Sequence, residues 1–312
     1  MRILTDFHHE EAYRSTQYLG ERLGAKVYRP RGMEWQGSGY WNQVKPRPDV
    51  GVLIARHINR YYPGLTLEEV LDDPPDMFIA SHPLNKKGYM KLAEEAGKPF
   101  VMRAGNNWNL GLPEWGGIKN LLSCPDRRWP DIPNQVTYHP EFRNSRLRLG
   151  DKTVKSMVSA QARHEQPALD LFEAIAGKLP DWGAKCYGGG RSGRIRFTGI
   201  RTAINRAGFL LHRKLHGDGY GFVLHRGLAS GCPVILPYDT YKNCKAGTKI
   251  VDGVTTFDSE RPVDEIVKWM LKVAEDYPSH SSKVRKIWEE QCCPDREFKD
   301  KLKPFFEKVL NS

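Results

Sequence analysis

The sequence predicts an α/β protein of two doubly wound halves, and three observations carry that prediction. Short apolar runs alternate with amphipathic helical stretches in both halves. The alternation lapses into Gly-, Pro- and Trp-rich chain between Asn107 and Pro133, and a basic stretch from Arg143 to Gly150 reads as a linker. A glycine-punctuated strand, loop, helix and strand then mark the second half. A chain of 312 residues suits two domains better than one, and 39% apolar content is enough for two cores.

In chain order, Arg2 to Phe7 predicts a strand, Glu10 to Leu23 a helix, and Ala25 to Tyr28 and Val50 to Ala55 two further strands. Met77 to Ser81 predicts a strand, Lys86 to Ala96 a helix and Phe100 to Arg103 a strand. After the linker come Val154 to Ser159 (strand), Gln166 to Ala176 (helix), Lys185 to Tyr187 and Ile195 to Phe197 (strands). Gly208 to His212 then predicts a buried strand, Phe222 to Ser230 a short helix and Val234 to Leu236 another strand. Val263 to Glu275 is helical, and so is Ser282 to Leu310 with a break at Pro294, since proline interrupts the backbone ladder. The expected domains are 1–150, 151–281 and a helical tail, 282–312, returning to the first domain.

The chain has 48 Lys plus Arg against 37 Asp plus Glu, a formal charge of +11. No run approaches the roughly 18 apolar residues of a membrane span, and the first residues lack a signal-peptide core, so a soluble, cytoplasmic protein is expected. Six cysteines without a C-x-x-C pair predict reduced thiols and no metal site. From Trp182 to Gly217 there is no acid, while Lys185, Arg191, Arg194, Arg196, Arg201, Arg206, Arg213 and Lys214 are basic. Such a block suits a polyanion or a diphosphate, or is a solvated face without a partner.

The segment His216-Gly-Asp-Gly-Tyr-Gly-Phe222 leads from a strand into a helix, an order that aims backbone N–H groups and a helix N-terminus at one point where an anion would sit. Asp218-Gly-Tyr-Gly221 and Arg226-Gly-Leu-Ala-Ser-Gly-Cys-Pro-Val-Ile235 together resemble the signature of the retaining GT-B glycosyltransferases of group 1, similar to family 4. Tyr187-Gly-Gly-Gly190, Arg196-Phe-Thr-Gly199 and Ile250-Val-Asp-Gly-Val254 extend the resemblance in order over roughly residues 153 to 260.

The resemblance implies two Rossmann-like domains facing a central cleft and a metal-independent hexosyltransferase using a nucleotide-sugar, a UDP-sugar such as UDP-glucose, with no other cofactor. It implies Asp218 at the donor sugar. It implies Arg163, Gly188, Gly189, Gly190, Arg196, Gly219, Tyr220, Gly221, Phe222 and Arg226 around the rest of the donor. Two departures stand out: Arg226 replaces the acid that binds ribose hydroxyls, and Gln166 stands where a diphosphate-binding lysine is expected. An arginine cannot accept hydrogen bonds from hydroxyls and suits a phosphate instead.

In the first half, Thr5-Asp-Phe-His-His-Glu10 and Met77-Phe-Ile-Ala-Ser-His-Pro83 end strands on one sheet edge. His8, His9 or Glu10, and second to them His82, are candidates to orient or deprotonate an acceptor hydroxyl. The bland alternatives are N-capping by Asp6 or His8 and a structural His82. Trp35, Trp41, Arg103, Asn106 and Trp108 are candidate acceptor contacts, the loop tryptophans stacking on a base or sugar or simply folding onto their own scaffold.

Three functions follow. The first is a glycosyltransferase whose acceptor is a hydroxymethylated base in double-stranded DNA, as in the enzymes that decorate bacteriophage genomes and act in the host cytoplasm. Its competing acceptor is a lipid or cell-surface glycan at an anionic membrane. The second is a non-catalytic nucleotide or nucleic-acid binding protein on a degenerate GT-B scaffold, and the third an unrelated α/β protein with a chance glycine loop. Oligomeric state has no signature in the sequence.

Overall fold

A computed structural model describes residues 1–6, 10–32, 35, 38–40, 63–81, 85–104, 116–123, 132–138, 152–159, 166–187, 197–214, 221–243 and 250–312. The chain divides into two compact units, Met1–Pro140 with Asp295–Ser312, and Glu141–Pro294. Residues 282–294 therefore belong with the second unit and 295–312 with the first.

The first unit runs β1 (Arg2–Thr5), α1 (Glu10–Arg22), β2 (Lys26–Pro30), β3 (Gly64–Leu65), α2 (Leu67–Asp72), β4 (Met77–Ala80), α3 (Lys86–Glu95), β5 (Phe100–Ala104), β6 (Asn120–Ser123) and β7 (Asn134–Thr137). Its strands form one parallel sheet in the order β3-β2-β1-β4-β5-β6-β7. Every residue of β4 and of β6 is buried, which is what helices on both faces of a parallel sheet require. Phe78 of β4 meets Tyr89 of α3 edge-on at 6.4 Å. Thr66 and Glu69 start α2 as a reciprocal capping box, each side chain accepting from the other's N–H at 3.1 and 2.6 Å.

One of these strands, β6, falls in chain expected to be irregular, and β7 begins just past its end. Asn120-Leu-Leu-Ser123 is too short to show a period, and asparagine is a poor strand former. In the sheet, however, Asn120 pairs in register with Asn134, donates to Phe100 O at 2.9 Å and accepts from Asn134 Nδ2 at 2.8 Å. A ladder of amides thus replaces β-branched packing. The expected strand Val50 to Ala55 lies outside the described residues.

The second unit runs β8 (Thr153–Ser159), α4 (Gln166–Lys178), β9 (Gly183–Cys186), α5 (Phe197–Arg206), β10 (Ala207–Leu211), α6 (Phe222–Ala229), β11 (Val234–Leu236), α7 (Tyr238–Asn243), β12 (Thr256–Asp258), α8 (Val263–Glu275) and α9 (Tyr277–Gln291). The parallel order is β12-β11-β10-β8-β9. Neighbouring strand residues sort to opposite faces, as a period of two dictates. Met157, Phe209, Leu211 and Ile235 join Phe172, Trp269 and Tyr277 on one side, and Val158, Leu210, Val234 and Leu236 join Leu224, Val284 and Trp288 on the other.

Two expectations need correction here. Phe197 opens a helix rather than ending a strand. Apolar residues 197, 200 and 204 recur at helical spacing, and the three-residue alternation read as a strand was too short to compete. The last helical region begins at Tyr277, five residues before the expected Ser282, because Pro278 falls in the first turn, where proline is tolerated.

Between β8 and β10 the register slips: Ala207 faces Thr153 but Phe209 faces Met157. Gly208 sits at this bulge, where a Cβ would meet Val154 O at 2.0 Å, so no larger residue fits the close approach.

The C-terminal segment continues through a single helical turn, α10 (Pro294–Glu297), a π-helical turn (Phe298–Leu302) and α11 (Lys303–Leu310). Leu302, Phe305, Phe306 and Val309 are buried. Arg22 of α1 pairs with Asp295 and lies 4.8 Å over the Phe298 ring, and Lys301 Nζ donates to Thr137 O at 3.5 Å. Among the described residues no helix is long and apolar enough to cross a membrane.

Candidate functional site

In a doubly wound sheet, ligands collect outside the carboxyl ends of the strands where the winding reverses. In the second unit that point lies between β8 and β10, which end in register at Ser159 and Leu211. Ser159 is buried and its carbonyl accepts from Tyr187 N at 2.7 Å. Residues 160–165, with Arg163, follow the first of these hydrogen-bonded neighbours, and Gly188, Gly189 and Gly190 follow the second. Asp218, Gly219 and Tyr220 follow β10. All of these, with Arg196, lie outside the described residues, but the strands that lead into them end side by side.

The described part of this edge is the start of α6. Gly221, its N-cap, has φ 73 and ψ 54, a left-handed conformation that an L side chain resists. A glycine cap brings no side-chain oxygen, and a helix leaves its first N–H groups without intrahelical partners, so Phe222 opens a helix end suited to an anion. Arg226 lies one turn further on with only 9% of its surface exposed.

His212, which follows β10, was not among the residues singled out from sequence. It is buried, donates its backbone N–H to Ile235 O at 2.8 Å and meets the Tyr241 ring edge-on at 5.6 Å. Its only sequence signal is its place, the first polar residue after an apolar strand. Of the basic block, Arg213 is committed: its guanidinium grips both Glu260 oxygens at 3.0 to 3.2 Å and donates to Pro167 O at 2.7 Å. Lys185 and Arg206 are exposed and Lys214 half-buried.

In the first unit the winding reverses between β1 and β4. Asp6, buried just past β1, accepts from Ser81 N at 2.8 Å and from Asn85 Nδ2 at 3.2 Å. Arg103 is buried and donates to Thr16 Oγ1 of α1 at 2.7 Å. Trp35 is also buried, its indole N–H on Leu65 O at 3.1 Å, so its ring is part of the scaffold rather than a face offered to solvent. His8, His9, His82, Trp41, Asn106 and Trp108 lie outside the described residues.

No protein-family model and no curated protein matches the chain. Solved structures do. Anabaena HepE in complex with UDP and glucose superposes with a TM-score of 0.58 at 10% identity, covering 97% of this chain and 100% of that one. Sucrose-phosphate synthase from Thermosynechococcus elongatus gives 0.56 at 8% identity, covering 100% and 99%, and the spinosyn forosaminyltransferase SpnP 0.54 at 12%, covering 100% of both chains. The architecture and this likeness define the class: the chain has the GT-B fold, two parallel α/β units. Its own mark within that class is the left-handed glycine that opens α6 at the second switch point, with an arginine, Arg226, one turn on.

Proposed function

We propose that the chain is a glycosyltransferase that moves a sugar from a UDP-sugar to an acceptor hydroxyl without a metal. One observation carries the reading: the switch point of the second sheet gathers the ends of β8 and β10 with a glycine-opened helix. HepE, of the same fold, is solved with UDP-glucose. In this reading the diphosphate lies against the start of α6, with Arg163 and Gly188 to Gly190 around it, and Asp218 touches the sugar. The bond from the anomeric carbon to the diphosphate oxygen breaks, a bond to the acceptor oxygen forms, and the acceptor proton passes to a base, for which His8, His9 and His82 are candidates. Amides and arginines neutralise the charge that develops on the departing diphosphate.

The test is turnover of a panel of nucleotide sugars, UDP-glucose first, by the native chain and by Asp218→Ala. A loss of at least about 100-fold in the variant is expected. No turnover of any donor, or an Asp218→Ala variant as active as the native chain, overturns the reading. UDP binding without turnover would point to the degenerate, non-catalytic scaffold, which Arg226 and Gln166 favour.

For the acceptor, the charge of +11 and the exposed Lys185 and Arg206 support a hydroxymethylated base in double-stranded DNA. A gel shift that weakens steeply with salt is expected. Absence of DNA binding at low salt, with flotation on anionic liposomes, would transfer the acceptor to a lipid or surface glycan.

A further inference from the structure

The far end of α6 is held in a way that bears on the proposed donor site. Arg285 of α9 is buried, and its guanidinium donates to Ala229 O, in the last turn of α6. The same group lies 5.2 Å over the Trp288 ring. Trp288 in turn donates its indole N–H to Nδ1 of His225, in the middle of α6, at 3.3 Å. A second cation arrives from another direction. Lys152 Nζ donates to Ser230 Oγ at 3.1 Å, and Ser230, the C-cap residue, donates its own hydroxyl to Gly227 O at 2.8 Å.

Besides Arg226 in the helix's own last turn, two cations from other elements therefore stand at the carboxyl end of the helix whose amino end opens at the switch point. Among the described residues Lys152 has a hydroxyl rather than a carboxylate for its partner, and burial pulls it below the ordinary lysine range. Glu289 accepts from Arg285 Nε at 2.6 Å but is half exposed, so water screens the acid more than the buried guanidinium.

A helix carries roughly half a positive charge at its amino end and half a negative charge at its carboxyl end. Eight residues span only about 12 Å, so the negative pole of α6 still opposes an anion bound at the other end. Cations on that pole cancel the opposition.

On the reading that α6 meets a diphosphate, we infer that Arg285 and Lys152 are positioning residues for the donor: they fix the helix and offset its negative pole, and so strengthen binding of the charged part of the nucleotide. Neither touches the ligand. The consequence is selective, because a nucleoside without phosphates shares the base and ribose contacts but not the charge.

The experiment compares the affinities of UDP and of uridine for the native chain, Arg285→Met, Arg285→Lys and Lys152→Met, with melting temperatures alongside. Arg285→Met is expected to weaken UDP between roughly threefold and tenfold, with uridine within about twofold of native. Arg285→Lys keeps the charge and recovers most of the loss. Lys152→Met, which acts through a hydroxyl, shows the same selectivity with a smaller loss, and decides the matter alone should Arg285→Met not fold. Equal weakening of UDP and uridine, or unchanged UDP affinity in a folded variant, overturns the inference. A native chain that binds no nucleoside diphosphate overturns the glycosyltransferase reading as well, a result distinct from a variant that binds UDP as well as native.

Discussion

The two sheets reverse their winding in the same way, yet their edges at that point are built from different material. In the first unit the described residues at the edge beside β1 and β4 are side chains bonded to each other and to the backbone: Asp6 holds Ser81 and Asn85, and Arg103 reaches across to Thr16. In the second, the edge beside β8 and β10 opens on a helix whose cap is a glycine, with its cations at the opposite end. The pairing differs too, being in step throughout β1 and β4 and bulged between β8 and β10. The same topological rule therefore yields, among the described residues, one edge tied by side-chain hydrogen bonds and one that begins with a glycine-capped helix.

Substitutions can break or sharpen that contrast. The largest stability effect is expected at the bulge, where Gly208→Ala drives a methyl into Val154 O; a loss of about 3 kcal/mol in urea unfolding is the outcome that fits. A loss below 1 kcal/mol would mean that the β8–β10 pair is as adaptable as its in-step counterparts. Next comes Asp6→Ala, which removes an acceptor of a half-buried N–H and of a buried amide and should lower stability by about 2 kcal/mol without selecting between ligands.

Gly221→Ala should do the reverse. Its left-handed backbone makes a destabilisation of only about 1 kcal/mol, while UDP affinity falls more than uridine affinity. If Asp6→Ala rather than Gly221→Ala impaired UDP selectively, the two edges would have exchanged roles.

The smallest effect is a pH dependence confined to the second unit. Burial and Lys283 hold His280 below its ordinary 6.5, against the raising influence of its hydrogen bond to Val254 O at 2.7 Å. A base with a depressed folded value stabilises the fold in its neutral form. That contribution is intact above about 6.5, begins to be lost as pH falls through it, and is gone below the folded value. His280→Gln should flatten this part of the stability profile, measured by unfolding between pH 7 and pH 5.

Much of the architecture was legible in the chain because periodicity is local. Alternation in Met157-Val158 and Phe209-Leu210-Leu211 sorted side chains to two faces of a sheet, and the amphipathic run from Val263 to Glu275 marked its helix at both ends. The glycine segment before Phe222 announced a strand, a loop and a helix opening. The weak points were residues without a full period around them, Asn120 to Ser123 and Phe197, where neighbours in space decide between strand, loop and helix.

The sequence by itself determined two doubly wound halves, the place of the glycine-rich turn and an excess of positive charge. Only the tertiary structure decided which charges are committed and which ends of helices they reach. Arg285 meets Ala229 across 56 residues and Asp6 meets Ser81 across 75, separations over which no local pattern can act. The partner of a buried polar group is chosen by desolvation: once water is excluded, the group must bond to whatever the packed elements bring within reach.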